Sequence, residues 1–355
     1  TASPAAFAVG QEGTILEWTP GGWRERKLPT PETFVGVWGS AANDVWAVGT
    51  GGVIAHFDGA AWSLAGSPTP EILLDVFGLS STAVYAVGVR GTVLRWDGSQ
   101  WTVMTTGQDW ELWGIWGSSP NDLYAAGQNG VVVHWNGAQW TRMTTPGTSP
   151  LFGVWGTPGG YVCALGVNGT LWRYDGRTWS ALPPPTNRNL FAIWGRGSSD
   201  LYAAGNTGAV LHYNGTAWRE LATTATGQNL RGVWGDGNGR VVAAGWDGTV
   251  VRGDASGTTW TTEISSPTLV TVWGPGDGTV YAITVLHKSM GPWSAAAPFA
   301  VAYVELAEGP RLLANIATVD PLSVAVGDRV RATFVPLPEL PADAPAQAIL
   351  RFVPA

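Results

Sequence analysis

Three of the four histidines stand at His56, His134 and His212, two gaps of 78 residues. Imidazoles serve as metal ligands and general bases, but either task needs partners that converge within a few ångströms. So long and regular a spacing puts the three on equivalent positions of a repeat, where they point apart. They read as members of one solvated strand face. His287 has no Cys or His near it in the chain, and Cys163 is the sole cysteine, which excludes an internal disulfide and a four-cysteine zinc site. Cys163 takes a place held elsewhere by Trp46, Tyr85, Tyr124 and Tyr202, and reads as a small buried apolar residue, not a reactive thiol. There is no Gly-x-Ser-x-Gly elbow and no phosphate loop ending in Gly-Lys-Ser/Thr, and the Gly-rich strings at 235–239 and 274–278 open no helical pattern. No catalytic set, no metal and no cofactor is expected.

The elements that would position any site come from the same repetition. A Trp-Gly step, once Phe-Gly, falls at Trp38, Phe77, Trp116, Trp155, Trp194, Trp234 and Trp273, with gaps of 39 or 40 residues. A second mark ends at Gly10, Gly49, Gly88, Gly127, Gly166, Gly205 and Gly245, and a third places Trp23, Trp62, Trp101, Trp140, Trp179, Trp218 and Trp260. Each unit holds strand A ending at the Trp-Gly step, strand B ending at the Gly, strand C ending before Asp-Gly or Asn-Gly, and strand D starting at the late Trp. The pattern Gly-x-x-Gly between B and C suits hairpins that need positive φ. Asp58-Gly59, Asp97-Gly98, Asn136-Gly137, Asp175-Gly176 and Asn214-Gly215 mark the C to D hairpins. The acidic residues there are turn formers.

Residues 1–27 lack an opening strand, whereas 269–274 is an opening strand with no unit behind it. The two fragments make a whole unit only if the ends meet, so the expectation is a closed ring of seven blades. One tryptophan per strand at one period fits packing between blades, since a buried aromatic removes about 150–250 Å² from water. The position two before the strand A aromatic is small throughout, as the crowded inner strands require, except at Asp75. The position three before it is apolar except at Arg231. Both charged residues are candidates for lining the mouth of the central channel, with a solvated structural role as the competing reading.

If the ring has a binding face, the B to C hairpins and D to A connections share it. The residues there that vary between units include Glu12, Arg90, Asp109, Trp110, Asn129, Arg188, Trp246 and Asp247, and these with Asp75 and Arg231 are the ligand-face candidates.

With 45% apolar and 13% charged residues, 49 Gly and 24 Pro, the composition fits a packed all-β chain with many turns. The net charge of -7 and the lack of a basic cluster remove the electrostatic footprint of a nucleic-acid binder. No run of about 18 apolar residues exists, so no membrane-spanning helix is expected. Because the sequence opens on Thr1, removal of an export signal stays open, and so does the compartment.

The string GVWGS, NDVWAVG and HFDGAAW over 36–62 resembles the Trp-rich tandem propeller repeats of large secreted or surface bacterial proteins, a likeness that covers 5–274. After Trp273-Gly274 the period breaks, with Thr284 where a Gly is due. Five short apolar or alternating runs follow, near 278–285, 300–306, 311–315, 328–334 and 348–352, a length suited to a small barrel. GTVYAITVLHK, VELAEGPRLLANI, VGDRVRATF and the closing RFVPA resemble the OB-fold half of the acyl-CoA-associated family that accompanies thiolases. Members usually carry a four-cysteine zinc ribbon ahead of the barrel, and here a propeller stands in that place. His287, Glu308 and Arg311 are the candidate residues of this domain, although Glu308-Gly309-Pro310-Arg311 most simply forms a turn.

The expected architecture is all-β: a seven-bladed β-propeller closed by N- and C-terminal strands over 1–277, then a small five-stranded OB-like barrel over 278–355. The barrel's resemblance implies a protein partner, an acyl-CoA (thiolase-like) enzyme, and a cytoplasmic site. The propeller's resemblance implies a periplasmic or secreted one. Three functions stay open: a non-catalytic recognition or scaffold propeller with an OB-fold accessory domain, a propeller that binds a small molecule, glycan or surface, and a propeller hydrolase or lyase that uses face carboxylates.

Overall fold

The computed structural model describes residues 6–19, 22–183, 185–221, 227–235, 241–245, 249–253, 260–264, 269–273, 283–286, 299–305, 311–316, 330–336 and 348–354. Seven four-stranded antiparallel sheets make the propeller. Blade 1 joins the two ends of the array: Leu269–Trp273 is its strand A, and Ala6–Gly10, Thr14–Thr19 and Gly22–Lys27 are its strands B, C and D. Phe7 lies opposite Trp273, and Val9 opposite Thr271. Blades 2 to 7 begin at Phe34, Leu73, Leu112, Leu151, Leu190 and Leu230.

The Trp-Gly step has a packing cause. A Cβ placed on Gly78 would lie 2.4 Å from Cη2 and Cζ3 of Trp38, so the ring of one blade covers the glycine of the next. Trp116 covers Gly156 in the same way, its Cζ3 2.6 Å from the added carbon. The rings follow one another around the channel, with centroids 6.3 Å apart for Trp38 and Phe77, 6.4 Å for Phe77 and Trp116, and 6.4 Å for Trp116 and Trp155. Late tryptophans also span the interfaces between blades. Trp62 meets Phe7 edge-on at 5.8 Å, and Trp101 meets Trp46 edge-on at 5.3 Å, each pair spanning two blades.

The two glycines of Gly-x-x-Gly answer different demands. The second has positive φ, 70° at Gly13 and 65° at Gly130. The first is extended, and there the need is close approach: a Cβ on Gly127 would stand 1.7 Å from the carbonyl oxygen of Glu111. The residue before the second glycine is also left-handed, at Glu12, Arg90, Asn129, Asn168 and Thr207, with φ between 50° and 56°. In the C to D turns the side-chain oxygen of Asp97 accepts the N–H groups of Ser99 and Gln100 at 2.8 and 3.0 Å, which holds its carboxyl down at about 2. Asp58, Asn136, Asp175 and Asn214 do the same in their own turns. These residues are turn formers, as their positions implied.

The chain divides into two compact units, of which the second contains Asp277–Ala355. In that unit Ile283–Leu286, Phe299–Glu305, Arg311–Ile316, Val330–Pro336 and Ala348–Pro354 form one sheet. Numbered in chain order they lie 1-2-3-5-4, and the third and fifth strands run parallel. A meander followed by a parallel return is the path a five-stranded Greek-key barrel takes. The expected junction at 277/278 falls outside the described residues. Among the described residues no helix is long and apolar enough to cross a membrane.

Candidate functional site

Among the described residues, strand A of blades 2 to 7 contributes to a central cavity of about 450 Å³. Val35, Leu74, Trp113, Phe152, Phe191 and Arg231 share one repeat position near the start of that strand, and all six line the cavity. Three aromatics in succession make an arc: Trp113 stacks on Phe152 at 5.0 Å and 13°, and Phe152 meets Phe191 at 5.1 Å. The arc ends in a cation, because the Arg231 guanidinium sits over the Phe191 ring, 4.1 Å from its centroid. Desolvation lowers the pKa of Arg231, and among the described residues no carboxylate pairs with it.

Asp75 lines the same cavity. Its neighbours at this repeat position are glycines because the next blade lies too close for a side chain: a Cβ on Gly36 would be 3.0 Å from Asp75 Cα, and one on Gly114 would be 3.1 Å from Gly153 Cα. Asp75 turns that proximity into a bond. One carboxylate oxygen accepts the N–H of Ile115 in the following blade at 2.9 Å, and the other accepts the N–H of Val76 at 2.9 Å. Desolvation pushes its pKa up to about 7 against those two donors.

The hairpin face is continuous with this mouth. B to C hairpins of blades 1 to 6 bond to D to A connections, for example Gln128 N–H to Glu111 O at 3.0 Å and Gly91 N–H to Trp110 O at 2.6 Å. On this face the variable residues form separate local contacts. Glu12 pairs with Lys27 at 3.0 Å, Arg90 with Glu71 at 3.3 Å, and Arg188 with Glu220 at 2.5 Å. Asn129 occupies the left-handed turn position, and Asp109 is exposed. Trp110 is half-buried and packs against the core around Tyr85 and Leu112. The geometry therefore gathers Asp75 and Arg231 into one cavity and leaves the others spread around the rim. Trp246, Asp247, His287 and Glu308 lie outside the described residues. Arg311 opens its strand opposite Glu305, and only its main chain is described.

The histidines are not on a solvated face. Each is half-buried and stacks on the strand B aromatic beside it: His56 on Trp46 at 4.0 Å, His134 on Tyr124 at 4.5 Å, and His212 on Tyr202 at 4.5 Å. Nε2 of each contacts an aspartate that opens strand B, at 2.6 Å for Asp44 and 2.7 Å for both Asp122 and Asp200. The second carboxylate oxygen takes a bond from Ser40, from Ser118 at 2.5 Å, or from Arg196. Burial works to raise the Asp200 carboxyl, and the bonds from Arg196 and His212 overcome it and leave its pKa lowered. Ser, Asp and His are present, but the carboxylate stands in the middle, so the imidazole is not bonded to the hydroxyl and the order needed for nucleophile activation is absent. The signal was in the sequence: Asp and His recur twelve apart in alternate units, while Ala83 with Arg95 and Tyr161 with Arg173 take the same two places between them.

Cys163 is fully buried, and burial pushes its thiol up to about 11. Among the described residues, no group of three His, Cys, Asp or Glu is placed to hold a metal ion.

Comparison with known proteins separates the two parts. Residues 273–335 match the family model of the C-terminal OB-fold domain of ChsH2. The chain is 42% identical over 64 residues to the 3-oxo-4,17-pregnadiene-20-carboxyl-CoA hydratase alpha subunit of Mycobacterium tuberculosis, a stretch that covers 18% of this chain and 20% of that one. It is 36% identical over 59 residues to a DUF35 domain-containing scaffold protein of Methanothermobacter thermautotrophicus, covering 17% of this chain and 44% of that one. The chain thus spans less than half the length of either curated relative. The propeller is similar in fold to YCF48 bound to D1 peptide, with a TM-score of 0.59 and 18% identity over 71% of this chain and 88% of that one. It is also similar to the Streptogramin B lyase structure, with a TM-score of 0.61 and 13% identity over 85% and 96%. At such identities the likeness concerns fold alone. The chain is a seven-bladed β-propeller fused to a carboxyl-terminal OB-fold domain similar to that of ChsH2 and of DUF35 scaffold proteins.

Proposed function

We propose that this chain is a non-catalytic recognition or scaffold protein whose OB-fold domain docks on an acyl-CoA enzyme of the thiolase-like class while the propeller recognises a further partner. The observation that carries the reading is the OB-fold match itself, because the two curated relatives that share this segment are named as a subunit of an acyl-CoA hydratase and as a scaffold protein. The barrel segment has five basic residues (Lys288, Arg311, Arg329, Arg331 and Arg351) and six acidic ones (Glu305, Glu308, Asp320, Asp328, Glu339 and Asp343). That near-balance suits a protein surface better than the basic, aromatic groove of a single-strand binder. The division 1–277 and 278–355 belongs to this proposal: the ring presents, and the barrel docks.

The test is size-exclusion chromatography with light scattering on the full chain mixed with thiolase-like enzymes encoded near its gene. A stable complex that is lost when 278–355 is removed, and kept when Arg90 and Arg188 are changed to Ala, supports the reading. Binding that survives removal of 278–355 refutes docking through the barrel.

A further inference from the structure

We infer that the propeller channel is a binding site for a small monoanionic carboxylate carried on a flat apolar body, an aromatic or alicyclic acid, held by Arg231 against the Trp113, Phe152 and Phe191 arc. A cavity of about 450 Å³ is large enough for such a molecule, since small-molecule sites run from roughly 300 to 1,000 Å³. Three aromatic side chains, each half-buried, line one wall in direct succession, and flat apolar groups stack on such surfaces. The arc terminates in a guanidinium that stacks on Phe191 and has no carboxylate partner among the described residues. A desolvated cation without a counterion is costly, and a ligand carboxylate relieves that cost through the paired N–H donors of the guanidinium.

The charge count selects the class of anion. Among the described residues the other charged one that lines the cavity is Asp75, whose oxygens are already engaged by the N–H groups of Val76 and Ile115. That leaves Arg231 as a single cation for a ligand, which matches one negative charge and opposes a phosphate dianion, which favours several cations. The channel also differs from unit to unit where it need not. The frame tolerates Val35 or Leu74 at the same position, so the aromatic arc and the arginine are not imposed by ring closure. This site is independent of what the barrel docks on.

Isothermal titration calorimetry on the full chain tests it with sodium 2-naphthoate and the uncharged 2-naphthamide as probes. One naphthoate should bind per chain, with the amide at least about tenfold weaker, the factor expected when a charge-assisted pair is lost. Arg231→Gln should abolish that preference, and Arg231→Lys, which keeps the charge but not the fork, should retain part of it. A cooperative thermal melt confirms that each variant is folded, and Arg231→Lys keeps the test decisive if Arg231→Gln does not fold. Equal affinity of acid and amide for the unmodified chain, no naphthoate binding at millimolar concentration, or displacement of naphthoate by equimolar inorganic phosphate overturns the assignment.

Discussion

Replacing Gly78 by Ala probes the device that repeats around the ring. The added carbon would lie 2.4 Å from two atoms of the Trp38 ring and 2.8 Å from a third, well inside van der Waals contact. The three nearest atoms all belong to that ring, so the sharpest part of the clash is with one side chain. Overpacking of this kind costs about 1–3 kcal/mol. Restricting the unfolded chain returns about 0.4–1 kcal/mol, which leaves a net loss of about 1–2 kcal/mol. For a domain of this size that lowers the melting temperature by roughly 2–4 °C. Gly197→Ala is the control, because nothing lies within 4 Å of its added carbon and no positive φ is involved. Differential scanning calorimetry on the three proteins reads the effect directly. In the double variant with Trp38→Leu, the Ala at position 78 should cost at least about 1 kcal/mol less than it does alone, the coupling of residues in contact. If Gly78→Ala melts with the unmodified protein, or if the two changes simply add, then the glycine is not there to admit the neighbouring ring.

Thr207 is a β-branched residue with φ of 52°, and Thr207→Gly should raise stability in urea denaturation by about 1 kcal/mol, whereas Thr207→Val should not. Asp122→Ala removes the bonds to His134 and Ser118 together and should cost about 1–3 kcal/mol, again by urea denaturation. Asp75 carries a raised pKa of about 7, so the stability owed to its neutral form is complete below its unfolded value and is lost as pH rises through 7. Between pH 5 and pH 8 the melting temperature of the unmodified protein should therefore fall further than that of Asp75→Asn. The thiol of Cys163, buried and pushed up to about 11, should react with an aromatic disulfide reagent at pH 8 only after unfolding.

Blade number, strand order and ring closure were legible because each depends on short-range chemistry that a repeat copies faithfully: Asp-Gly turns, close-approach glycines and one large ring per strand. Leu269–Trp273 was assigned to blade 1 on counting alone, and Phe7 opposite Trp273 shows why counting sufficed. The histidines were misplaced for the opposite reason. Their stacking on strand B and their bond to an aspartate twelve residues earlier join two strands, and a position-by-position comparison of repeats treats each column separately. Two columns that alternate together, Asp with His and Ala or Tyr with Arg, carry the information. The channel arc was half legible. Arg231 and Asp75 stand out in the sequence as charges among apolar or small neighbours, but Trp113, Phe152 and Phe191 read there only as apolar residues at the repeat position of Arg231, and the ring is what brings them side by side.

Closure by strands from opposite ends of the array also sets a schedule for biosynthesis. Strand B of blade 1 emerges from the ribosome early, while its partner begins at Leu269, 242 residues after the last residue of strand D at Lys27 (269 minus 27). At a translation rate of roughly 5–20 residues per second, the open edge of Ala6–Gly10 waits about 12–48 s for its mate. An unpaired strand edge is a template for association with other chains, so the growing array is most vulnerable at the strand of the ring that is made first.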